Sequence, residues 1–243
     1  MKSIKIYALA LGLLAVFAGC QNDVVKPLEN DKEAPAPVRD VTYTKMSGSV
    51  LLTYTLPSDP DLLYVAASYT NKAGKKYEFK ASYFTNTLLV EGFGDTDTYS
   101  LDVYAVDRSE NYSEPVNIQV AADTPPVQAA YETLEVQPDF GGMTFSFDNA
   151  SKADLTVYVS TPNADNEMVN AETFYTGLAK ATFSVRGFLD VPRDFEICFE
   201  DKWGNRSPVK KENLTPIYEA ELDKKKFKEV ILPGDFPCTF YES

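Results

Sequence analysis

Carboxylates are the reactive side chains that this sequence offers in greatest number. It has 36 Asp and Glu residues against 23 Lys and Arg residues, and it has no histidine. Without histidine, the chain has neither Ser-His-Asp nor Cys-His nucleophilic machinery, and it cannot ligate zinc through imidazole. A glycosidase, in contrast, needs only two carboxyl groups about 5 to 10 Å apart. Catalysis by paired carboxylates is therefore the enzymatic chemistry that has to be weighed.

The positions of the carboxylates favour structural roles over a catalytic pair. An Asp in a turn bonds to its own backbone, which explains it without a catalytic role. A carboxylate that alternates outward along a strand is an ordinary surface group. We therefore predict no catalytic residues and no enzymatic activity. The residues concerned are Asp59, Asp61, Asp95 and Asp97 at turns, and Asp102, Glu196 and Glu200 along strands.

Two acidic turns, at 107–111 and 201–205, invite comparison with calcium loops. Their sequences are Asp-Arg-Ser-Glu-Asn and Asp-Lys-Trp-Gly-Asn. Neither has the Asp-x-Asp-x-Asp-Gly spacing of a calcium-binding loop. A structural turn is favoured at both positions, and we predict no metal site and no cofactor.

Aromatic side chains are the other groups that could bind a ligand. Trp203 is the only tryptophan, and it could form a platform for a sugar, because aromatic faces cover apolar surface. Its place in a turn favours a packing role instead. Several tyrosines are expected on outward strand faces and could line a groove, but tyrosine is common there without a ligand. The ligand-binding residues therefore stay unassigned. These tyrosines are Tyr69, Tyr77, Tyr83 and Tyr112.

The elements that must position these groups follow an N-terminal targeting segment. Lys2 and Lys5 lead into an apolar run at 6–17, which is typical of a secretory signal and too short to span a bilayer. The Ala-Gly-Cys that follows resembles a bacterial lipobox, in which Cys20 becomes the lipidated first residue. We therefore expect a signal peptide at 1–19 and attachment to the membrane through the lipid on Cys20. An ordinary signal that contains a cysteine is the alternative.

Charge and cysteine content narrow the partners. The net charge of −13 repels phosphate backbones, so we expect no nucleic-acid partner. Besides Cys20, the chain has Cys198 and Cys238, which could form one disulfide in an oxidising compartment. Whether they pair stays open.

From residue 37 the chain consists of short segments that alternate apolar and polar residues, separated by turn signals. This is the period of half-buried strands. About seven such strands in one domain indicate an antiparallel sandwich. The preceding segment, 20–36, is charged and proline-containing and is predicted to be a flexible tether. The strands of this first domain, 37–123, are predicted at 38–43, 50–56, 63–70, 76–82, 87–90, 99–106 and 115–120.

The pattern then repeats. Asp107, Asn111 and Ser113 are echoed by Asp201, Asn205 and Ser207, and Val-Glu-Gly-Phe at 90–93 by Val-Arg-Gly-Phe at 185–188. A repeat of this length is a whole domain, so we predict a second sandwich at 124–217, joined by a hinge at Pro125-Pro126. Residues 218–243 form a tail, or the stub of a further domain. The strands of the second copy are predicted at 133–136, 143–147, 155–160, 172–175, 182–186, 195–199 and 208–210.

Strand periodicity also predicts the core. Tyr99, Leu101 and Val103 should point into the first sandwich, and Phe195, Ile197 and Phe199 into the second, with Tyr54 as a further core aromatic. No segment shows a sustained helical period. The predicted fold is therefore all-β.

The strand at 99–107 closely resembles the sixth strand of a fibronectin type III (immunoglobulin-like) domain. Several further motifs together resemble a group of Bacteroidota outer-membrane lipoproteins with two fibronectin type III-like domains of unknown function. A discoidin-like C-terminal domain normally follows in that group, and we expect it to be missing here. The motifs are Asp59-Pro-Asp-Leu-Leu-Tyr-Val65, Glu91-Gly-Phe-Gly94, Tyr104-Ala-Val-Asp-Arg-Ser-Glu-Asn111, Asp139-Phe-Gly-Gly142 and Asp201-Lys-Trp-Gly-Asn205.

The resemblance implies a function and a location. Such proteins belong to polysaccharide-utilisation systems, so it implies a non-catalytic lipoprotein of the outer-membrane surface that is accessory to glycan capture and uptake. Extracellular polysaccharide and an outer-membrane transporter complex are the partners implied. The alternative is a structural spacer or protein–protein interaction module that holds a partner off the membrane without binding glycan. The glycan, the membrane leaflet and the oligomeric state stay open.

Overall fold

Fourteen β-strands make up most of the chain that the computed structural model describes, namely residues 31–220, 223–228 and 233–234. The predicted signal, Cys20 and Cys238 lie outside these residues. The described residues divide into two units. The first comprises 31–91 and 97–122, and the second comprises 92–96 and the residues from 123 onward.

The first unit is a sandwich of two antiparallel sheets. The strand orders are β1-β2-β5 and β4-β3-β6-β7, which is the arrangement of a fibronectin type III domain. All seven strands were predicted from the alternating pattern, with bounds that differ by a few residues. They are β1 (Arg39–Met46), β2 (Ser49–Thr55), β3 (Leu62–Thr70), β4 (Lys76–Ser82), β5 (Thr87–Glu91), β6 (Thr98–Asp107) and β7 (Val116–Ala121).

The core of the first unit confirms the predicted strand faces. Leu101 and Val103 are fully buried, and Tyr99 and Tyr54 are nearly so. Burying these side chains supplies the main driving force for folding, about 25 cal/mol per Å² of apolar surface. The core faces predicted from the sequence for these residues are therefore those of the folded sheet.

Two of the tyrosines expected on an outward face are instead in the core. Tyr69 and Tyr77 are only 3% and 8% exposed, and their rings stack at 5.4 Å between centroids. Tyr69 lies on the same side of β3 as Val65 and Ala67, and its hydroxyl donates a hydrogen bond to the carbonyl of Glu91 at 2.9 Å. The expectation that Tyr69 and Tyr77 face outward was wrong, because the alternation of side chains along β3 and β4 places both on the core face.

The second unit repeats the sandwich. Its sheets have the orders β12-β9-β8 and β11-β10-β13-β14. Phe195, Ile197 and Phe199 are buried as predicted, and Phe199 packs edge-to-face on Phe147 at 4.7 Å between centroids. The strands are β8 (Glu135–Asp139), β9 (Gly142–Asp148), β10 (Leu155–Pro162), β11 (Met168–Thr176), β12 (Lys180–Arg186), β13 (Arg193–Asp201) and β14 (Lys210–Leu214).

A short helix stands where the sequence predicted only a proline hinge. Helix α1 (Pro126–Glu132) begins with proline in its first turn, a position where the missing N–H costs nothing. Val127 and Ala130 are buried in the core of the second unit. Seven residues are too few to show a helical period in the sequence.

Within the described ranges, no helix has the length and apolar character needed to cross a membrane.

The two acidic turns have the same hydrogen bonds, which confirms the structural interpretation of the repeat. Asp107 Oδ1 accepts bonds from the backbone N–H groups of Ser109 and Asn111, both at 2.8 Å, and Oδ2 accepts one from Asn111 Nδ2. Asp201 makes the same three bonds at 2.9 Å. The carboxylates hold their own turns, as Asp commonly does in this position.

A serine follows each acidic turn and completes it. Ser113 Oγ accepts a hydrogen bond from the backbone N–H of Ala105 at 3.0 Å. Ser207 Oγ accepts one from Phe199 at the same distance. Both serines are buried, so each hydroxyl satisfies a backbone donor that water does not reach.

We predict that Ser113→Ala and Ser207→Ala each destabilise the unit that carries them by about 1 to 3 kcal/mol. The reason is that each change leaves a buried N–H without its acceptor. Urea unfolding of the two variants would measure the loss. Ser58→Ala, at an exposed position between β2 and β3, is the control and should change stability by less than about 0.5 kcal/mol. Losses no larger than in this control would contradict the prediction.

Tyr54 gives a prediction for alkaline pH. Burial raises the pKa of Tyr54 to about 12, whereas an unfolded tyrosine ionises near about 10. Between these two pKa values, Tyr54 ionises in the unfolded chain but stays protonated in the folded one. The contribution of Tyr54 to the free energy of unfolding is therefore complete below the unfolded pKa, and it is lost as pH rises through the folded pKa. Tyr54→Phe removes this ionisation. Its free energy of unfolding should therefore decline less than that of the wild type between about pH 10 and pH 12. Equal declines in urea unfolding would refute the assignment.

Candidate functional site

One group of carboxylates comes together in the first unit. The carboxylate oxygens of Asp31, Asp61 and Asp107 lie within 4.8 Å of one another. A hydrogen bond with Asp59, helped by burial, raises the pKa of Asp61. Asp107 is committed to its turn, and Asp31 accepts a bond from Asn111 Nδ2 at 3.2 Å. These bonds explain the group as an attachment of residues 31–33 to the turn, in a segment where the sequence predicted a tether.

The outward carboxylates of the second unit are neutralised by neighbouring bases. Glu196 pairs with Lys211, and Glu200 pairs with Arg206, each at 2.6 Å. Both of these carboxylates, singled out from the sequence, therefore act in ion pairs.

A cluster of tyrosines on the outer face of the β4-β3-β6-β7 sheet is the candidate site. We name this cluster of Tyr64, Lys80, Tyr104 and Tyr112 the tyrosine face. Val65, Ala67 and Tyr69 of β3 face the core. Because side chains alternate along a strand, Tyr64 faces outward. Cross-strand pairing then places Lys80 and Tyr104 on either side of Ala66.

The side chains of the tyrosine face contact one another. The hydroxyls of Tyr64 and Tyr112 are 3.3 Å apart, and Lys80 Nζ donates a hydrogen bond to the Tyr64 hydroxyl at 3.3 Å. The Lys80 ammonium also lies 4.6 Å from the centroid of the Tyr64 ring. Tyr104 and Tyr112 meet edge-to-face, with 5.8 Å between centroids. The rings are thus held in place before any ligand arrives.

Three groups of the tyrosine face have raised pKa values. The hydrogen bonds to Glu78 and Tyr64 raise the pKa of Lys80 to about 12. The hydrogen bond with Tyr64, together with burial, raises the pKa of Tyr112 to about 12. Burial, followed by the charges of Asp102 and Glu78, raises the pKa of Tyr104. Tyr104 and Tyr112 therefore keep their hydroxyl groups, which can donate and accept hydrogen bonds.

A polar network borders the tyrosine face on β6 and β7. Asn117 Nδ2 donates hydrogen bonds to Ser100 Oγ at 2.7 Å and to Asp102 Oδ1 at 2.9 Å, and Gln119 donates one to Asn117 Oδ1 at 3.2 Å. Ala66 and Ser68 form a low floor between these residues and β4. Rings, hydroxyls and amides around a low floor can bind a ligand, and nothing among them supplies a nucleophile with a base.

The other aromatics named from the sequence lie elsewhere. Trp203 is half-buried in its turn, with Lys202 Nζ 5.1 Å from the ring centroid. Tyr83 packs on Phe84, with 4.0 Å between ring centroids. Of the expected groove tyrosines, Tyr112 alone belongs to the tyrosine face. The sequence analysis missed Tyr64, whose position one residue before a core valine would have shown its outward direction.

Cys198 also lies on an outward position, in β13. Its thiol is 3.5 Å from the carbonyl oxygen of Ser207. Its pairing with Cys238 stays open, because Cys238 lies outside the described residues.

Two open cavities lie beside the four-stranded sheet of the second unit. One, of about 490 Å³, is lined by Asp194, Glu196, Lys211 and Asn213 among others. Lys211 donates a hydrogen bond to Glu196, and Asn213 donates one to Asp194. The other cavity, of about 400 Å³, is lined by Tyr175 and Lys202 among others.

Comparison with known proteins matches each half of the chain to a domain family. Residues 35–122 match the model of a domain of unknown function (DUF4959), and residues 123–225 match that of another domain of unknown function (DUF5126). Neither model covers half of the chain. A search of curated proteins finds no match.

Among solved structures, a SusE-like protein, BT2857, is 35% identical to the aligned part of this chain. The alignment covers 46% of this chain and 39% of that one, with a TM-score of 0.35. The chain thus spans less than half the length of that protein. A segment of two fibronectin type III domains from chicken tenascin is 15% identical, covers 74% of this chain and 99% of that one, and also has a TM-score of 0.35. The fold is two tandem fibronectin type III-like sandwiches.

Proposed function

We propose that this chain is a non-catalytic lipoprotein of the outer-membrane surface that assists glycan capture in a polysaccharide-utilisation system. The observation that carries the proposal is the tyrosine face. Its rings can cover the apolar faces of sugars, and its hydroxyls and the adjoining amides can bond sugar hydroxyls.

The placement of the carboxylates supports binding over catalysis. Asp107 and Asp201 hold their own turns through three hydrogen bonds each. Glu196 and Glu200 are in ion pairs. A glycosidase needs one protonated and one ionised carboxyl group facing a shared space, and these four residues are engaged otherwise.

The charges near the tyrosine face support an uncharged ligand. Lys80 lies beside Glu78 on β4, with 3.1 Å between the charged atoms, and Asp102 lies on β6, on the other side of β3. Glu78 offsets the charge of Lys80, and Asp102 adds one negative charge, so the surroundings disfavour an anionic ligand. The net charge of −13 disfavours polyanions at longer range. A neutral polysaccharide is repelled neither by the local charges nor by the net charge of the chain.

The setting comes from the sequence motifs at 59–65, 91–94, 104–111, 139–142 and 201–205, which resemble those of Bacteroidota surface lipoproteins. The proposed partners are the membrane, through the lipid on Cys20, extracellular polysaccharide, and an outer-membrane transporter complex. A spacer that only holds a partner off the membrane is the alternative, and it predicts no glycan binding.

We predict that the mature chain is retarded in native gels that contain its polysaccharide, and that Tyr112→Ala weakens this binding about tenfold, or about 1.4 kcal/mol. Tyr112 is 45% exposed and contacts both other rings of the tyrosine face. Phe84→Ala is the matched control, because Phe84 is an 83% exposed aromatic of the same unit that lies outside the tyrosine face.

Two outcomes of this experiment would contradict the proposal. Absence of retardation by every plant and host polysaccharide tested would favour the spacer. Release of reducing ends from a polysaccharide, abolished by replacing one carboxylate, would make the protein an enzyme.

The lipid anchor has its own test. Lipid burial contributes about 0.8 kcal/mol per methylene, and a single chain binds only marginally, so several acyl chains are needed for durable attachment. Cys20→Ala should move the protein from the membrane to the soluble fraction of lysed cells, whereas Cys198→Ala should leave it on the membrane. Membrane association of the Cys20→Ala protein would refute lipidation as the anchor.

A further inference from the structure

We propose that the 400 Å³ cavity of the second unit is a second saccharide site, in which the ring of Tyr175 stacks on one face of a neutral sugar. The inference rests on the proposed function for the class of ligand, but its position is independent of the tyrosine face. We name the cavity the Tyr175 cavity.

The ring of Tyr175 is exposed because of its place on an edge strand. Its neighbour on β11, Phe174, turns inward and packs on Phe183 with 4.5 Å between centroids. The pleat therefore turns Tyr175 outward, opposite Thr156 on β10. Because β11 is at the edge of its sheet, no further strand of that sheet covers the ring.

Tyr175 is 76% exposed. Among the described residues, no aromatic or cationic side chain stacks on its ring. A large ring that is fixed at its backbone and open on its face offers apolar area at a low cost in conformational entropy. This is what a stacking platform for a sugar requires.

The turn after β11 keeps the space beside the ring open. Gly177 has no side chain, and a Cβ there would come within 3.2 Å of Asp154 Oδ1. Leu178 donates its backbone N–H to Thr176 Oγ1 at 3.1 Å, which fixes the turn. The carboxylate of Asp154 thus borders a space that a larger residue at 177 would crowd.

The polar groups around the cavity suit sugar hydroxyls. Asp154 can accept hydrogen bonds and Lys202 can donate them, while Thr156 can do both. A sugar hydroxyl also does both, so it can use either charged group. A free anion or cation would meet one group of its own sign, which disfavours an ionic ligand.

The shape of β11 disfavours a protein strand as the occupant. A partner strand would pair with the backbone of β11, but the register of β11 against β10 shifts between Val159 and Ser160. Irregularities of this kind in an edge strand protect it from pairing with another chain.

The test uses the mature chain with ¹³C-labelled tyrosine rings, in a Tyr112→Ala background that removes a central ring of the tyrosine face. Methyl β-glycosides of glucose, galactose, mannose and xylose are the probes. Loss of one signal in Tyr175→Phe assigns the Tyr175 ring. We expect that signal to shift in a saturable way with at least one glycoside, at millimolar concentration, while the Tyr218 ring, 67% exposed in the same unit, does not shift.

Variants then separate stacking from other effects. Saturation transfer to the bound sugar should persist in Tyr175→Phe, which keeps the ring, and affinity should fall about tenfold in Tyr175→Ala. Tyr218→Ala is the matched control and should bind as the parent does. Equal binding by Tyr175→Ala and its parent would overturn the proposal.

The remaining outcomes distinguish this site from the proposed function. If polysaccharide binding depends on Tyr112 but no glycoside shifts the Tyr175 ring, the second site is refuted and the proposed function stands. If the Tyr175 ring responds while Tyr112→Ala leaves polysaccharide binding unchanged, the tyrosine face is refuted and this site stands. A shift of Tyr175 with protein concentration, without sugar, would make the cavity a protein interface and overturn the proposal.

Discussion

The pleat of the four-stranded sheets is the constraint on which the rest of the structure depends. Once Val65, Ala67 and Tyr69 are committed to the core, the intervening residues of β3 must face outward. The tyrosine face is therefore a consequence of core packing in the first unit. In the second unit, Phe174 goes inward and Tyr175 outward for the same reason. A slip of one residue would reverse both faces at once, and burial of the aliphatic and aromatic core opposes it.

The acidic turns hold this register at the ends of the strands. Asp107 and Ser113 form a set of hydrogen bonds around the turn after β6, and Asp201 and Ser207 form the same set after β13. Each set provides acceptors for backbone N–H groups that have no partner in the hydrogen bonds between strands. Charged side chains that could have been ligands or catalytic groups are thereby used to terminate strands. Their conformations are already determined by the fold, so the proposed ligand binding is assigned to the aromatic faces.

Strand periodicity was sufficient to predict the sandwiches and most of their core, but not the face of every tyrosine. Leu101 and Phe199 were placed correctly because each sits in a long, strictly alternating segment. Tyr69 was assigned outward although it shares its strand face with buried alanine and valine. Helix α1 was missed because its buried positions, Val127 and Ala130, are too few to establish a period. The meeting of Lys80 with Tyr64 could not be read from sequence spacing, since it depends on the order of strands in the sheet.

The outer faces of the two units differ in a way that bears on their proposed ligands. In the first unit, three rings and a lysine contact one another, so the tyrosine face is rigid and its hydroxyls are partly engaged. In the second, Tyr175 stands alone beside an open cavity with one acid and one base. A preformed cluster loses little entropy on binding, whereas a single exposed ring gains more newly buried area. Either arrangement alone gives weak affinity, because neither surface encloses its ligand. Under the proposed function, weak contact with a repeating polymer would suit a protein that passes its ligand on, since tight binding at a surface site would slow release.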